Sequence, residues 1–463
     1  MKLRRMLMLV FCVVQTAFVP SLLGQATMVA IRTNGPTSSY LNLVYLSEGY
    51  TSGQLPQFLV DVTNTMNKLL TIPPWNAYSN YFNVFAISVA SAQSGSDHYT
   101  PTTNLVNTYF NSTFDSYGTQ RLLTIPPNDR DGNYNDGYGK VDALLQQLLP
   151  EYDVAGLIVN DTTYGGSGGT YLLASVNASS GEIANHEIGH TFAKLGDEYS
   201  TAYPGYPDVE EPNTTTNSTR GVKWNAWILP ATLVPTPDVS SNYTVDGLFE
   251  GAHYHTTGWY RPKHDCKMRT LGVPYCEICA QELVLSIYSA IRPIQSFSPA
   301  STNFFIGTQG NAAFTIAILK PATNNLTVQW FTNGVAAGPA TGTNFTINAA
   351  QLAGGGTNEI GVVVHDPTGY VRTDPAGKLW QTNLWKQIVV TAPTITSPKL
   401  SGTNFMLSVS TQAGLNYVLE FKNSLNDASW TPSQTNNGNG GLITLTNAGL
   451  VGPSRFYHIR VQQ

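Results

Sequence analysis

Two histidines four residues apart, with a glutamate directly after the first, are the side chains of this 463-residue chain best suited to chemistry. They stand in the stretch His186-Glu187-Ile188-Gly189-His190. On a helix that spacing sets both imidazoles on one face, a turn apart, as two-point chelation of zinc requires. Glu187 between them would face a water on such a metal and could take its proton as a nucleophile forms. Ile183, Ala184 and Ile188 give the helix an apolar flank, and Thr191, Phe192 and Ala193 let it continue.

A catalytic zinc takes three protein ligands and leaves a position for water. Asp197 and Glu198 follow Gly196, a point where a helix can break. Asp197 is the preferred third ligand. Glu198 is the alternative, and otherwise would steady an imidazole or the turn from behind. His253, His255 and His264 are further candidates. Upstream, Tyr164-Gly165-Gly166-Ser167-Gly168-Gly169 precedes a strand-like run from Thr170 to Val176. Glycines there permit close approach of another backbone, and an extended peptide can add to a sheet edge. Gly168, Gly169 and Tyr171 are therefore substrate-strand candidates, with Tyr171 to Ser175 as the edge; the other reading is a flexible loop entering an interior strand. A phosphate loop is excluded, because no Lys-Ser/Thr follows the glycines. Met268, in Cys266-Lys267-Met268-Arg269, could floor a metal site or simply fill core.

The elements that must position these residues can be read from periodicity. Leu41 to Tyr45 is a short apolar run, and Phe58, Val62, Met66, Leu69 and Leu70 repeat at helical spacing. Tyr81 to Val89 alternates as a strand, Val141 to Leu149 reads as an amphipathic helix, and Val154 to Val159 as a buried strand. Cys276 to Ile291 reads as a helix that closes the domain. Strands interleaved with helices predict an α+β or α/β layer architecture. The Asx-rich segment Asn128 to Gly139 offers Asp131, Asn133, Asn135 and Asp142 at calcium-loop offsets, but Asp136 stands where the loop needs glycine. It reads as an ordinary loop.

After Pro293 the texture changes to short β-rich runs separated by Gly, Asn, Pro and Thr. Ala313–Leu319, Leu326–Phe331, Asn344–Ile347 and Ile360–His365 predict a β-sandwich with Trp330 as a buried aromatic. A second module starts near Ala392, with strands at Phe405–Val409, Tyr417–Phe421, Leu442–Leu445 and Phe456–Val461.

Lys2, Arg4 and Arg5 followed by an apolar run from Leu7 to Val19 and small residues near Ala26 describe a secretory signal peptide. Its loss would remove three positive charges and shift the formal charge from −5 to −8. No basic footprint for nucleic acid exists, and no later run is long enough to span a membrane. Of the remaining cysteines, Cys266, Cys276 and Cys279, two could pair in an oxidising compartment. Alternatively the three could hold zinc with a fourth ligand such as His264. Which two would pair is not legible.

The assembled motifs resemble the IgA-peptidase family of metzincin-like zinc metallopeptidases. The resemblance rests on Leu43-Val44-Tyr45-Leu46-Ser47-Glu48-Gly49-Tyr50, Tyr81-Phe82-Asn83-Val84-Phe85, Val159-Asn160 and the Tyr164 to Gly169 run. It continues through His186 to Tyr199, Tyr260-Arg261-Pro262, Cys266-Lys267-Met268-Arg269 and Cys276-Glu277-Ile278-Cys279. It spans residues about 30 to 292. It implies a zincin fold, peptide-bond hydrolysis with Zn2+, a Met-turn at Met268 and a third ligand shortly after the helix, in support of Asp197. The usual spacing of that group would put the ligand at Gly196, so this chain carries one extra residue there.

The expected organisation is a signal peptide at 1–26, an α+β zincin-like catalytic domain at 27–293, an immunoglobulin-like β-sandwich at 294–391 and a small β-module at 392–463. The expected function is a secreted zinc endopeptidase acting on protein or peptide, with the C-terminal modules touching glycan or cell surface, or acting as spacers, by analogy alone. Two rival readings remain: an adhesion protein on an inactive zincin scaffold, and a zinc amidase acting on cell-wall peptide.

Overall fold

In the computed structural model of the chain, residues 26–125, 137–307, 310–337, 342–352, 357–449 and 454–462 are described. Residues 1–25 of the expected leader and positions Asp131, Asn133 and Asn135 lie outside them. Cα packing divides the chain after Ser286 into two units.

The first unit is built on one mixed sheet. Its strands are β1 (Thr27–Arg32), β2 (Leu41–Glu48), β3 (Phe82–Ser88), β4 (Val154–Val159), β5 (Gly166–Ser167) and β6 (Leu172–Ser175). Their spatial order is β1-β3-β2-β4-β6-β5. The inner pairs β3·β2, β2·β4 and β4·β6 are parallel, and the flanking β1 and β5 run antiparallel to their neighbours. β2 and β4 are buried along their whole length, which is why β4 reads as an unbroken apolar run rather than as an alternation, while β2 also buries Asn42, Ser47 and Glu48.

Side chains leave a strand to alternate faces, and β2 sorts them accordingly. Val44 and Leu46 join Phe85, Ile87 and Leu157 in a cluster with Val141, Leu144 and Leu145 of helix α2 (Gly137–Leu148). One residue out of phase, Leu41 and Leu43 meet Trp75, Ile188 and Phe192 around a small hollow on the opposite face. Ile188 and Phe192 belong to helix α3 (Ser180–Ala193), which packs beside α1 (Leu55–Leu69). Helix α1 carries proline in its first turn and buries Phe58, Val62, Met66 and Leu69, the residues its periodicity picks out.

Helix α3 stops two residues before the expected glycine. Lys194 takes the left-handed conformation (φ 56°), and Leu195 N donates to Gly189 O at 3.1 Å, closing the helix end. Gly196 is needed for a different reason: a Cβ there would lie 2.3 Å from Glu211 Oε2.

Beyond α3 the chain holds only two short 3-10 turns, Asn225–Trp227 and Ser240–Asn242, until a hairpin of β7 (Phe249–Ala252) and β8 (His255–Arg261), and then helix α4 (Glu277–Ala290). His253 and Tyr254 form the hairpin's two-residue turn, both with positive φ (53° and 58°). That is the geometry of a type I′ turn.

The second unit is strand-built apart from the last residues of α4. One sheet has the order 303–307, 380–390, 357–365, 327–332, 335–336, and another 344–348, 311–318, 294–298. Trp330, Trp385 and Phe314 are in the shared core. Two three-stranded sheets follow, 395–401, 404–410, 442–447 and 431–437, 416–422, 456–462, around Leu407, Val409, Tyr417 and Leu419. The eight strands expected after Pro293 all form. Those not anticipated include Thr431–Asn437, whose composition is almost wholly polar.

Candidate metal centre

On α3 the spacing of His186 and His190 brings their Nε2 atoms to 3.1 Å. Each ring is fixed from behind. Nδ1 of His186 donates to Lys267 O at 2.9 Å, and Nδ1 of His190 donates to Leu195 O at 2.6 Å. A carbonyl can only accept, so the proton of each neutral ring is at Nδ1 and the Nε2 lone pairs face one another. Asp197 Oδ1 completes a triangle, 3.0 Å from His186 Nε2 and 3.4 Å from His190 Nε2. It is buried and has no hydrogen-bond partner of acceptable geometry.

Three lone-pair atoms converging in a buried space repel unless a cation sits among them. Ligands at about 2.0–2.1 Å in a tetrahedron stand about 3.3 Å apart, close to the three separations here. The donor set, two imidazoles and a carboxylate, suits zinc. The titration behaviour of the metal-free groups points the same way. Burial opposes charge on His190, yet Asp197 and Glu187 outweigh it and push the ring up to about 9. Burial likewise works against the Asp197 anion, but His190 and His186 hold its carboxyl far below the usual range. The site attracts positive charge.

Glu187 lies with the two imidazoles, its ligand atom within 4.8 Å of theirs. Burial pushes its carboxyl up, against the pull of His186 and His190. The glycine run presses on the same helix. A Cβ at Gly166 would sit 3.1 Å from Glu187 Oε1, and one at Gly168 would sit 2.5 Å from His190 Cβ and 3.0 Å from Glu187 O. The close backbone approach expected of these glycines is therefore present, and it is to α3.

The outer position in the sheet differs from expectation. It falls to Gly166–Ser167, because these residues fold back antiparallel onto Leu173–Ala174. Tyr171 to Ser175 is consequently interior, and Tyr171 is buried with its hydroxyl donating to Asp142. Tyr171 does not reach the imidazoles; Gly168 and Gly169 do lie against α3, with Gly169 N donating to Thr191 Oγ1 at 3.3 Å.

Met268 is buried beneath the motif, where a Cβ at Gly189 would lie 2.8 Å from its Sδ. Glu198 points away from the imidazoles. Its Oε1 accepts from Asn213 Nδ2 at 2.9 Å and lies 3.5 Å from Cys279 Sγ. The other histidines are engaged elsewhere: His253 with Glu211 and Pro207 O, His255 with Asp208, His264 with Asp238 and stacked on Tyr243.

Sequence reasoning missed Tyr254. From the hairpin tip its hydroxyl donates to Asp197 Oδ2 at 2.6 Å, leaving Oδ1 to face the histidines. Tyr199 stacks on His186, with centroids 5.9 Å apart, and packs on Tyr254. A type I′ turn made of His-Tyr rather than Asn-Gly gives no sequence signal. The carbonyls of Lys267 and Leu195 that hold the imidazoles are backbone atoms, equally invisible in residue identities.

Two imidazoles, one buried and one partly so, with a carboxylate and a second carboxylate beside them form a donor set suited to a metal ion. The model of the family described as IgA Peptidase M64 matches residues 29–246 and 239–287, more than half of the chain, and the chain belongs to that peptidase family. No curated protein matches the sequence. Among solved structures, three N-terminal domains of the bacteriophage RB49 outer capsid protein Hoc share 10% identity, with a TM-score of 0.23, over 36% of this chain and 66% of that one. The chicken interferon gamma receptor alpha chain shares 9%, with a TM-score of 0.15, over 34% of this chain and 92% of that one. Likenesses this weak carry no inference about fold or function.

Proposed function

We propose that the protein is a secreted, zinc-dependent endopeptidase. In this reading residues 27–293 form a zincin-like catalytic domain, 294–391 an immunoglobulin-like sandwich and 392–463 a small β-module. The observation that carries the proposal is the convergence of His186 Nε2, His190 Nε2 and Asp197 Oδ1 at 3.0 to 3.4 Å, with each ring's Nδ1 held by a backbone carbonyl. Family membership supports peptide-bond hydrolysis.

His186, His190 and Asp197 hold the metal. Bound zinc supplies Lewis-acid polarisation of the scissile carbonyl and acidifies a water. Glu187 accepts the proton of the attacking water on its carboxylate and returns it to the leaving nitrogen. A peptide laid along Gly168–Gly169 would run beside Glu187, and the absence of side chains at both positions leaves its backbone free to approach. Lys267 O, Leu195 O and Tyr254 fix the orientation of the three ligands. Met268 packs under the helix as the Met-turn residue.

The test is cleavage of casein and of immunoglobulin by the mature chain, with and without a zinc chelator, beside Glu187→Ala. Chelator-sensitive cleavage that is lost in the mutant, with zinc content unchanged, is the expected result. Full activity in Glu187→Ala would remove this residue from the mechanism.

A further inference from the structure

A second cluster of metal-ligating side chains lies directly behind the first. Cys266, Cys276, Cys279 and Glu198 are all buried, and one ligand atom from each falls within 4.8 Å of every other. We propose that these four residues bind a second zinc ion whose role is structural.

The separations are those of a tetrahedral site. Zinc bonds of about 2.3 Å to sulfur and about 2.0 Å to oxygen place neighbouring sulfurs about 3.8 Å apart and a sulfur and oxygen about 3.5 Å apart. Cys266 Sγ stands 3.6 Å from Cys279 Sγ, and Cys279 Sγ stands 3.5 Å from Glu198 Oε1. The surroundings suit thiolates. Cys276 N donates to Cys266 Sγ at 3.2 Å and Cys279 N to Cys276 Sγ at 3.5 Å, as amides around metal-bound sulfur do. Cys276 and Cys279 sit at the start of α4, where exposed amides favour negative charge.

Glu198 gives an independent pointer. It is fully buried, Asn213 serves only its Oε1, and its Oε2 has no hydrogen-bond partner. A carboxylate with an orphaned oxygen beside three thiols lacks a cation. The closed set of four ligands, with no place for water, distinguishes this site from the open one on α3. Neither His264 nor a disulfide is needed to account for the cysteines: His264 is held by Asp238, and all three thiols are free.

The location states the purpose. Glu198 follows the ligand Asp197 directly, and Glu198 N donates to Met268 O at 2.9 Å. Cys266 precedes Lys267, whose carbonyl orients His186. An ion here ties the segment after α3, the Met268 turn and the start of α4 into one unit, and so sets the third ligand and one imidazole of the α3 site.

The proposal is tested by metal content and cobalt spectroscopy on the full mature chain, purified without chelator. Two zinc ions per chain are expected, falling to one in His190→Ala. The cobalt-exchanged form of either protein should display sulfur-to-cobalt charge-transfer bands, a signal the sulfur-free α3 site cannot give. Cys276→Ser should lose one zinc and those bands; should it fail to fold, the wild-type and His190→Ala spectra still decide. A single zinc that disappears in His190→Ala, with no sulfur bands, overturns the proposal and leaves the catalytic reading intact. One zinc that persists in His190→Ala with sulfur bands supports it and overturns the catalytic reading instead. A Cys266–Cys279 disulfide in the metal-loaded protein, found by peptide mapping, also overturns it.

Discussion

Replacing Tyr254 by phenylalanine removes one hydroxyl and little else. The ring's contacts with Tyr199 and Tyr206, at centroid distances of 5.7 and 4.5 Å, can be kept by phenylalanine. What is lost is the 2.6 Å hydrogen bond to Asp197 Oδ2. A hydrogen bond to a charged group contributes about 1.5–3 kcal/mol net, and Asp197 is buried, so water does not replace the donor freely. Were the whole loss to fall on metal binding, zinc affinity would drop about 10- to 100-fold, the range usual for residues that orient metal ligands. The assay is competition for zinc against a chromophoric chelator, with turnover measured again at saturating zinc. Thermal unfolding of the metal-free proteins serves as control, because a purely structural role would lower that transition too. An affinity within about twofold of wild type would refute the assignment of Tyr254 as the group that aims Asp197.

Other residues give sharper or broader effects. Gly168→Ala forces a methyl against the backbone of α3 and should cost about 1–3 kcal/mol in denaturant unfolding, with activity falling alongside. Glu48 accepts from Thr108 Oγ1, Phe110 N and Ser112 N in a fully buried setting. Glu48→Ala should therefore destabilise by about 3 kcal/mol or more, whereas Glu48→Gln should cost less in the same urea titration. Burial works against the Glu182 anion, but Lys267 and Lys68 hold its carboxyl at about 2. Its contribution to stability is present above the ordinary value of 4.5 and is lost as pH falls through about 2. Wild type should thus exceed Glu182→Gln in stability at pH 6, and the two should converge in acid unfolding near pH 2. A gap that stays constant across that range would show that Glu182 acts through packing alone.

The buried elements were legible because their apolar pattern is dictated by the faces they cover. Phe58, Val62, Met66 and Leu69 announce α1, and the unbroken run of β4 announces a strand covered on both sides. Spacing likewise put His186 and His190 on one helical face. What could not be read was tertiary. Lys194, not Gly196, ends α3, since a left-handed lysine has no sequence signature. The two-residue strand Gly166–Ser167 takes the outer place in the sheet, and nothing in Tyr171 to Ser175 signals the extra neighbour. The carbonyls that orient the imidazoles and the tyrosine that aims Asp197 stand 81, 5 and 57 residues from the side chains they hold, in no fixed pattern, so only the folded chain brings them together.

Asp197 and Glu198 are neighbours in the chain, yet one carboxylate faces two imidazoles and the other faces three thiols. The short passage from Leu195 to Tyr199 therefore behaves like a reading frame. Deleting one residue ahead of Asp197 would present the longer glutamate to the histidines, and adding one would present the shorter aspartate to the cysteines; either change leaves the other cluster without its acid. A substitution at Asp197 or Glu198 removes the acid from one cluster, whereas a change of length disturbs both clusters in a single event. This stretch of chain has its length to preserve as well as its two acids.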